Sequence, residues 1–208
     1  PEWDAGVAAA VPADLQGVVS ANIAARREFR SMHTTLQDTL PAWRIEAPRA
    51  ADELLGYYQE AEAQFGVPWH VLAAVNLVET GMGRIMGLST AGAQGPMQFL
   101  PSTWAAYGMG GEVWNPRDAI LGAANYLAAN GAAGGDLERA LYRYNNHNAY
   151  VRGVMHYAGL MAADARTYHG YHAWEVVYLT TMGDIVLPVG YESTEGIPVA
   201  DWLATHPQ

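Results

Sequence analysis

The chain has 208 residues, half of them apolar, which is enough for one domain with a sizeable core and an appendage. Its formal net charge is −10, with only 11 Lys and Arg. This balance argues against binding to nucleic acid or to anionic membrane surfaces, because clustered cations hold both. Cysteine is absent, which excludes disulfides and thiolate metal sites. No apolar run approaches the length of about 20 residues that spans a membrane, so we expect no transmembrane segment.

Hydrophobic periodicity and Pro, Gly and Asn punctuation predict a mainly α fold. The predicted helices cover 12–40, 48–65, 68–80, 101–107, 116–130, 136–145 and 148–164. The first is long and amphipathic, with Pro12 near its start and Pro41 just after its end. The third is apolar almost all round, so we expect it in the middle of the domain. Asn115 is the predicted N-cap of the fifth, with Pro116 at the first helical position.

The tail differs from the helical part of the chain. Two β-branched and aromatic runs flank a Gly-Asp turn signal and predict a β-hairpin over 174–189. We therefore divide the chain into an N-terminal helical extension at 1–47, a helical catalytic domain at 48–165 and a tail with the hairpin at 166–208. The chain begins with Pro rather than Met, so we expect any secretion leader to be absent from it.

Glu79 is the candidate catalytic residue. It ends an apolar helix in V-E-T-G-M-G-R and precedes a Gly-punctuated loop. Glycosidic cleavage needs an acid that is still protonated near neutral pH. Burial behind an apolar helix and the negative end of the helix dipole would both disfavour the charged form of Glu79. An ordinary solvated residue at a helix end is the other interpretation that this local pattern allows.

An ordered set of motifs over about residues 50–162 resembles the lytic transglycosylase (SLT, lysozyme-like) domain. The motifs are Glu79-Thr80, Ser89, Gly92-Ala93, Gly95-Pro96-Met97-Gln98, Pro101-Ser102-Thr103 and Tyr144-Asn145. The variant Gly-Pro-Met-Gln and the sequence Tyr-Asn-Asn-His are similar to membrane-bound type B and related secreted bacterial transglycosylases. The resemblance implies a lysozyme-like helical domain, with Glu79 as its single catalytic acid and base.

The resemblance also implies substrate-binding residues on the loop after Glu79. Met97 and Gln98 would line the sugar cleft, and Ser89 falls where the family places a hydroxyl near the substrate. Gly95 would let the backbone approach the ligand closely.

Further along the chain, Tyr144 takes the place of a tyrosine that orients the glutamate or the scissile sugar. Asn145 would shape the same wall. Tyr150 is a candidate cleft residue, although its near-helical spacing with other tyrosines equally fits packing against a neighbouring helix. The pair His169 and His172 is more typical of a polar loop than of a metal site, so we predict no metal and no cofactor.

The reaction implied by the resemblance is cleavage of the β-1,4 bond between N-acetylmuramic acid (MurNAc) and N-acetylglucosamine (GlcNAc) in peptidoglycan, leaving 1,6-anhydro-MurNAc ends. Such chemistry lies outside the two-carboxylate scheme, so a second acid is not required. The alternatives are a lysozyme-type hydrolase of the same fold and a non-catalytic glycan-binding cell-wall protein. The expected partners are peptidoglycan strands and other cell-wall enzymes, for a monomer that is secreted or held in the cell envelope.

Overall fold

The computed structural model describes residues 3–206, and it is mainly helical. The helices are α1 (Trp3–Ala10), α2 (Gln16–Ser31), α3 (Ala51–Phe65), α4 (Trp69–Thr80), α5 (Pro101–Tyr107), α6 (Pro116–Ala129), α7 (Leu137–Tyr144), α8 (Asn148–Ala163), α9 (Arg166–His172) and α10 (Val199–Thr205). The strands are β1 (Thr39–Leu40), β2 (Arg44–Ile45), β3 (Ile85–Met86), β4 (Val176–Thr180), β5 (Gly183–Leu187) and β6 (Ile197–Pro198). The predicted mainly α fold with an N-terminal helix and a C-terminal hairpin is confirmed.

Helix α4 is the centre of the larger hydrophobic core. Its residues 71–76 are all buried, and α3, α6, α8 and α9 pack around it. Glycines in the left-handed conformation end the two helices, Gly66 (φ 70°) after α3 and Gly81 (φ 61°) after α4. The Asn115 side chain accepts hydrogen bonds from the backbone N–H groups of Arg117 and Asp118 and caps α6. The central helix and these boundaries agree with the prediction.

The first predicted helix is too long. Helix α2 covers Gln16–Ser31, and the chain beyond it turns into the short strand β1 instead of remaining helical as far as residue 40. Leu40 explains the difference, because it is fully buried in a second hydrophobic cluster and pairs with Ile197 of β6. Burial of Leu40 in this cluster requires extended backbone, although the hydrophobic periodicity predicts that the helix continues to this position.

Helix α2 packs tightly against α8. Gly153 of α8 permits this approach, since a Cβ atom there would lie 2.5 Å from the Phe29 ring. The Phe29 ring also stacks on Tyr157, with 5.7 Å between the ring centroids. Helix α2 is therefore an integral part of the larger core.

The tail contains two helices, α9 and α10, where the sequence predicted none. The segment expected to be a polar loop around His169 and His172 forms α9, because it buries Tyr168 and Tyr171 against the core. The hairpin pairs β4 with β5 and turns at residues 181–182, just before the predicted Gly-Asp signal.

A second hydrophobic cluster joins the segment after α2 to the tail. Its buried members are Leu40, Ile45, Val176, Ile185, Leu187, Tyr191 and Val199. The boundaries at residues 47 and 165 stay a prediction. Within residues 3–206, no helix has the length and apolar character needed to cross a bilayer.

Candidate active site

Glu79 lies in the last turn of α4, and a buried network of hydrogen bonds fixes this end of the helix. The hydroxyl of Tyr58 donates to Asn76 Oδ1 at 2.7 Å. Asn76 Nδ2 and the Thr80 hydroxyl both donate to the carbonyl oxygen of Pro96, at 2.8 and 2.6 Å. Asn76 and Thr80 are fully buried, so water competes little for these hydrogen bonds. The network ties the loop that follows Glu79 back to the helix that carries it.

A buried arginine connects the same helix end to the tail. The Arg84 guanidinium donates to the carbonyl oxygen of Gly81 at 2.9 Å and to that of His172 at 2.5 Å. Five N–H groups in a rigid plane allow one arginine to bridge two carbonyls in this way. The position of α4 is therefore coupled to that of α9.

Glu79 lines a cavity of about 810 Å³. Helix α2 forms one wall, the β4–β5 hairpin with the residues before it forms another, and α4 and α8 contribute further lining residues. The two walls are linked by Asp184 of the hairpin, whose carboxylate lies 3.2 Å from Arg30 Nη1 and 3.9 Å from Arg26 Nη2. Helix α2 and the tail thus both contribute walls to the cavity that Glu79 faces.

Tyr150 makes the direct contact with the Glu79 carboxyl. Its hydroxyl donates to Glu79 Oε1 at 2.6 Å. Tyr150 is 2% exposed, and burial raises the pKa of its hydroxyl well above the usual range, so it remains a donor. The Phe29 ring of α2 meets the Tyr150 ring of α8 edge-on, with 6.4 Å between the centroids, so the tyrosine packs against α2.

The Glu79 carboxyl has the properties of an acid that works near neutral pH. Burial raises its pKa to about 7, and the hydrogen bond from Tyr150 acts in the opposite direction. Glu79 is only partly buried as a whole residue, because it opens onto the cavity while protein atoms surround its carboxyl. At neutral pH the group therefore exists in both protonation states and can give or take a proton.

Residues 56–164 match the Transglycosylase SLT domain family. The chain belongs to this family. A stretch of 81 residues is 33% identical to the membrane-bound lytic murein transglycosylase F of Thiobacillus denitrificans, and it covers 39% of this chain and 17% of that relative. The Escherichia coli lytic transglycosylase SLT35, solved in complex with bulgecin A, aligns with a TM-score of 0.48 at 18% identity, over 67% of this chain and 78% of that one. The family resemblance drawn from the motifs is confirmed.

Three of the predicted site residues of this SLT domain line the cavity together. They are Glu79, Asn145 and Tyr150. Asn145 ends α7 and is partly buried, with its backbone N–H bonded to Leu141. Tyr144, its neighbour, does not line the cavity, and its hydroxyl donates instead to the carbonyl oxygen of Met97 at 2.6 Å.

The other predicted residues lie on the loop after α4, outside the lining of this cavity. Met97 is fully buried in the core. Gly95 is buried at φ 75°, where a Cβ atom would lie 2.0 Å from the Val113 carbonyl oxygen. Gln98 is partly buried, and its Nε2 donates to the Gly95 carbonyl oxygen at 3.0 Å. The Ser89 hydroxyl accepts bonds from backbone N–H groups within its own loop.

The sequence analysis missed the two walls of the cavity. The arginines of R-R-E-F-R at 26–30 and the acidic residue Asp184 meet only in the folded chain, and their spacing in the sequence gave no sign of it. In the histidine pair, His172 Nε2 lies 2.8 Å from the Arg49 carbonyl oxygen. Residues 3–206 contain no cluster of three or more side chains that could hold a metal ion.

Proposed function

We propose that this chain cleaves the β-1,4 bond between MurNAc and GlcNAc in peptidoglycan without water, leaving 1,6-anhydro-MurNAc ends. The observation that carries the proposal is the Glu79 carboxyl, which faces a large cavity with its pKa raised to about 7. Membership of the SLT family supplies the substrate class. Peptidoglycan lies in the cell envelope, so we place the site of action there.

Glu79 acts first as an acid and then as a base. Its proton passes to the glycosidic oxygen as the bond from that oxygen to C1 of MurNAc breaks. The resulting Glu79 carboxylate then takes the proton of the 6-hydroxyl of the same sugar, whose oxygen bonds to C1. The proton returns to Glu79, so the enzyme is regenerated and no second carboxylate is needed.

Tyr150 is a positioning residue in this scheme. Its hydroxyl donates to Oε1 and thereby leaves Oε2 to carry the proton that is transferred. The same bond stabilises the carboxylate that exists between the two steps, because hydrogen bonds to a charged acceptor are stronger than those to a neutral one. Asn145, which lines the cavity beside it, supplies an amide to a sugar hydroxyl or N-acetyl group. For the residues of the loop, Ser89 to Gln98, a direct contact with the sugar stays a prediction.

Mass spectrometry of the products from purified sacculi tests the proposal. The expected fragments are lighter by one water than reducing-end muropeptides, and Glu79→Gln yields none. Glu138→Gln, the same substitution at an exposed position on α7, serves as the matched control and keeps the activity. Reducing-end products would make the chain a hydrolase of the same fold. Equal activity of Glu79→Gln and the unaltered protein would refute the role of Glu79.

A further inference from the structure

Trp174 is a large apolar side chain that lies exposed in the cavity of Glu79. It stands shortly before β4, it is 37% exposed, and it lines the same cavity as Glu79. It lies outside residues 56–164, the segment that matches the SLT family. Ligand sites are concave and are lined largely by apolar and aromatic side chains, so an exposed indole inside such a site is a candidate for contact with the ligand.

Two buried tyrosines hold the Trp174 ring in place. Its centroid lies 4.7 Å from that of Tyr171 and 5.9 Å from that of Tyr157. The ring planes meet at 77° and 86°, so neither tyrosine stacks flat on the indole. Tyr171 is itself held by the hydrogen bond from its hydroxyl to Asn22 Oδ1 at 2.9 Å. A side chain that is held before binding loses little conformational entropy when a ligand covers it.

The backbone on either side of this indole is fixed to the end of α4. Arg84 donates both to the carbonyl oxygen of Gly81, just after Glu79, and to that of His172, just before the indole. Val176 packs on the same helix end, since a Cβ atom at Gly81 would lie 3.4 Å from Val176 Cγ2. The indole and the Glu79 carboxyl are thus held at a fixed position relative to each other.

We propose that Trp174 is a stacking platform for one pyranose ring of the glycan strand that Glu79 cleaves. The inference rests on the proposed function, because it assigns a sugar subsite to the same cavity. The sugars of a β-1,4-linked strand carry their polar groups around the rim of the ring, which leaves C–H groups on both faces. Stacking such a face on an indole removes apolar surface of both partners from water. The platform therefore adds affinity for the sugar rings, whatever peptides they carry.

Binding of peptide-free glycan strands to the Glu79→Gln protein tests the platform without turnover. In calorimetric titrations, Trp174→Ala in this background should weaken binding about tenfold, because the apolar surface that the sugar covers is lost. Trp174→Phe keeps an aromatic face and should recover most of the affinity. Trp114→Ala, at a tryptophan that is 39% exposed and outside the lining of this cavity, is the matched control and should leave the affinity unchanged.

Tryptophan fluorescence reports the contact without removing the aromatic ring. A sugar that covers an exposed indole moves its emission to shorter wavelength, because water leaves the ring. In the same background, glycan strands should cause this change in the Trp114→Phe protein, and the Trp174→Phe protein should bind the strands without it. The same change in both proteins would assign the contact to another tryptophan and overturn the platform. Phenylalanine preserves the packing of the ring, so this result does not depend on the folding of Trp174→Ala.

Failure of the platform and failure of the proposed function give different results. Equal affinity with and without the indole, or equal losses for Trp174→Ala and Trp114→Ala, would overturn the platform. Anhydro products from the unaltered protein would then leave the function standing. Binding that depends on Trp174, without any cleavage products from the unaltered protein, would overturn the function and leave the sugar platform standing. No binding of any strand would overturn the platform.

Discussion

Glu79→Gln should stabilise the protein at alkaline pH. Burial raises the pKa of Glu79 from 4.5 to about 7, so the folded state holds this proton more tightly than the unfolded state does. The stabilisation is fully present below pH 4.5 and is lost as the pH rises through about 7. From these two pKa values, proton linkage lowers the free energy of unfolding relative to acidic pH. This cost is about 1 kcal/mol at pH 5 and about 3 kcal/mol at pH 8. The neutral amide of glutamine avoids this cost.

Thermal unfolding at the two pH values measures the effect. The Tm of Glu79→Gln relative to the unaltered protein should rise by roughly 5 to 10 °C between pH 5 and pH 8, for a chain of this length. Comparing the two pH values removes the packing difference between the side chains, which does not depend on pH. Glu138→Gln, at an exposed position, should show no such change. Two Tm curves that stay parallel from pH 5 to pH 8 would refute the desolvated environment of Glu79.

Three other substitutions test the site and its support. Tyr150→Phe removes the hydrogen bond that lowers the pKa of Glu79, so the alkaline limb of the pH–activity profile should move upward; an unmoved limb would contradict the contact. Asn76→Ala breaks the buried network and should lower the free energy of unfolding by about 2 to 4 kcal/mol in denaturant titrations. Gly95→Ala adds a clash with a backbone carbonyl to an unfavourable φ and should destabilise more than Gly92→Ala, which has a similar φ and open space. Equal losses for the two glycines would argue against the close approach.

Local signals in the sequence were sufficient to predict α3, α4 and α6, which belong to the larger core. Gly66 and Gly81 end α3 and α4 because they adopt the left-handed conformation, and Asn115 caps α6 with its own side chain. Such signals act within one turn of the chain, so they can be read without knowing the fold. The position of Glu79 at the end of a buried helix followed from the same reasoning.

The end of α2 and the walls of the cavity depend on contacts that local patterns do not contain. Leu40 is extended because a distant strand buries it, and α9 forms because Tyr168 and Tyr171 find space in the core. The Arg30–Asp184 pair joins positions 154 residues apart. In the sequence, R-R-E-F-R resembles a solvent-exposed segment of an ordinary helix. Its position beside the cavity that Glu79 faces depends on the tertiary structure.

The separation of Arg30 and Asp184 in the sequence affects the order in which the protein folds during synthesis. Helix α2 emerges from the ribosome 154 residues ahead of the aspartate that it meets, a delay of about 8 to 30 seconds at ordinary rates of synthesis. The last of the helices around α4 ends at His172, before Asp184, so a nascent chain carries Glu79 before it has the hairpin wall of the cavity. The cavity is thus completed late in folding. The contact between α2 and the hairpin also carries the entropy cost of closing a long loop. A chain released before its hairpin is made would keep Glu79 and lack one wall of the cavity that Glu79 faces.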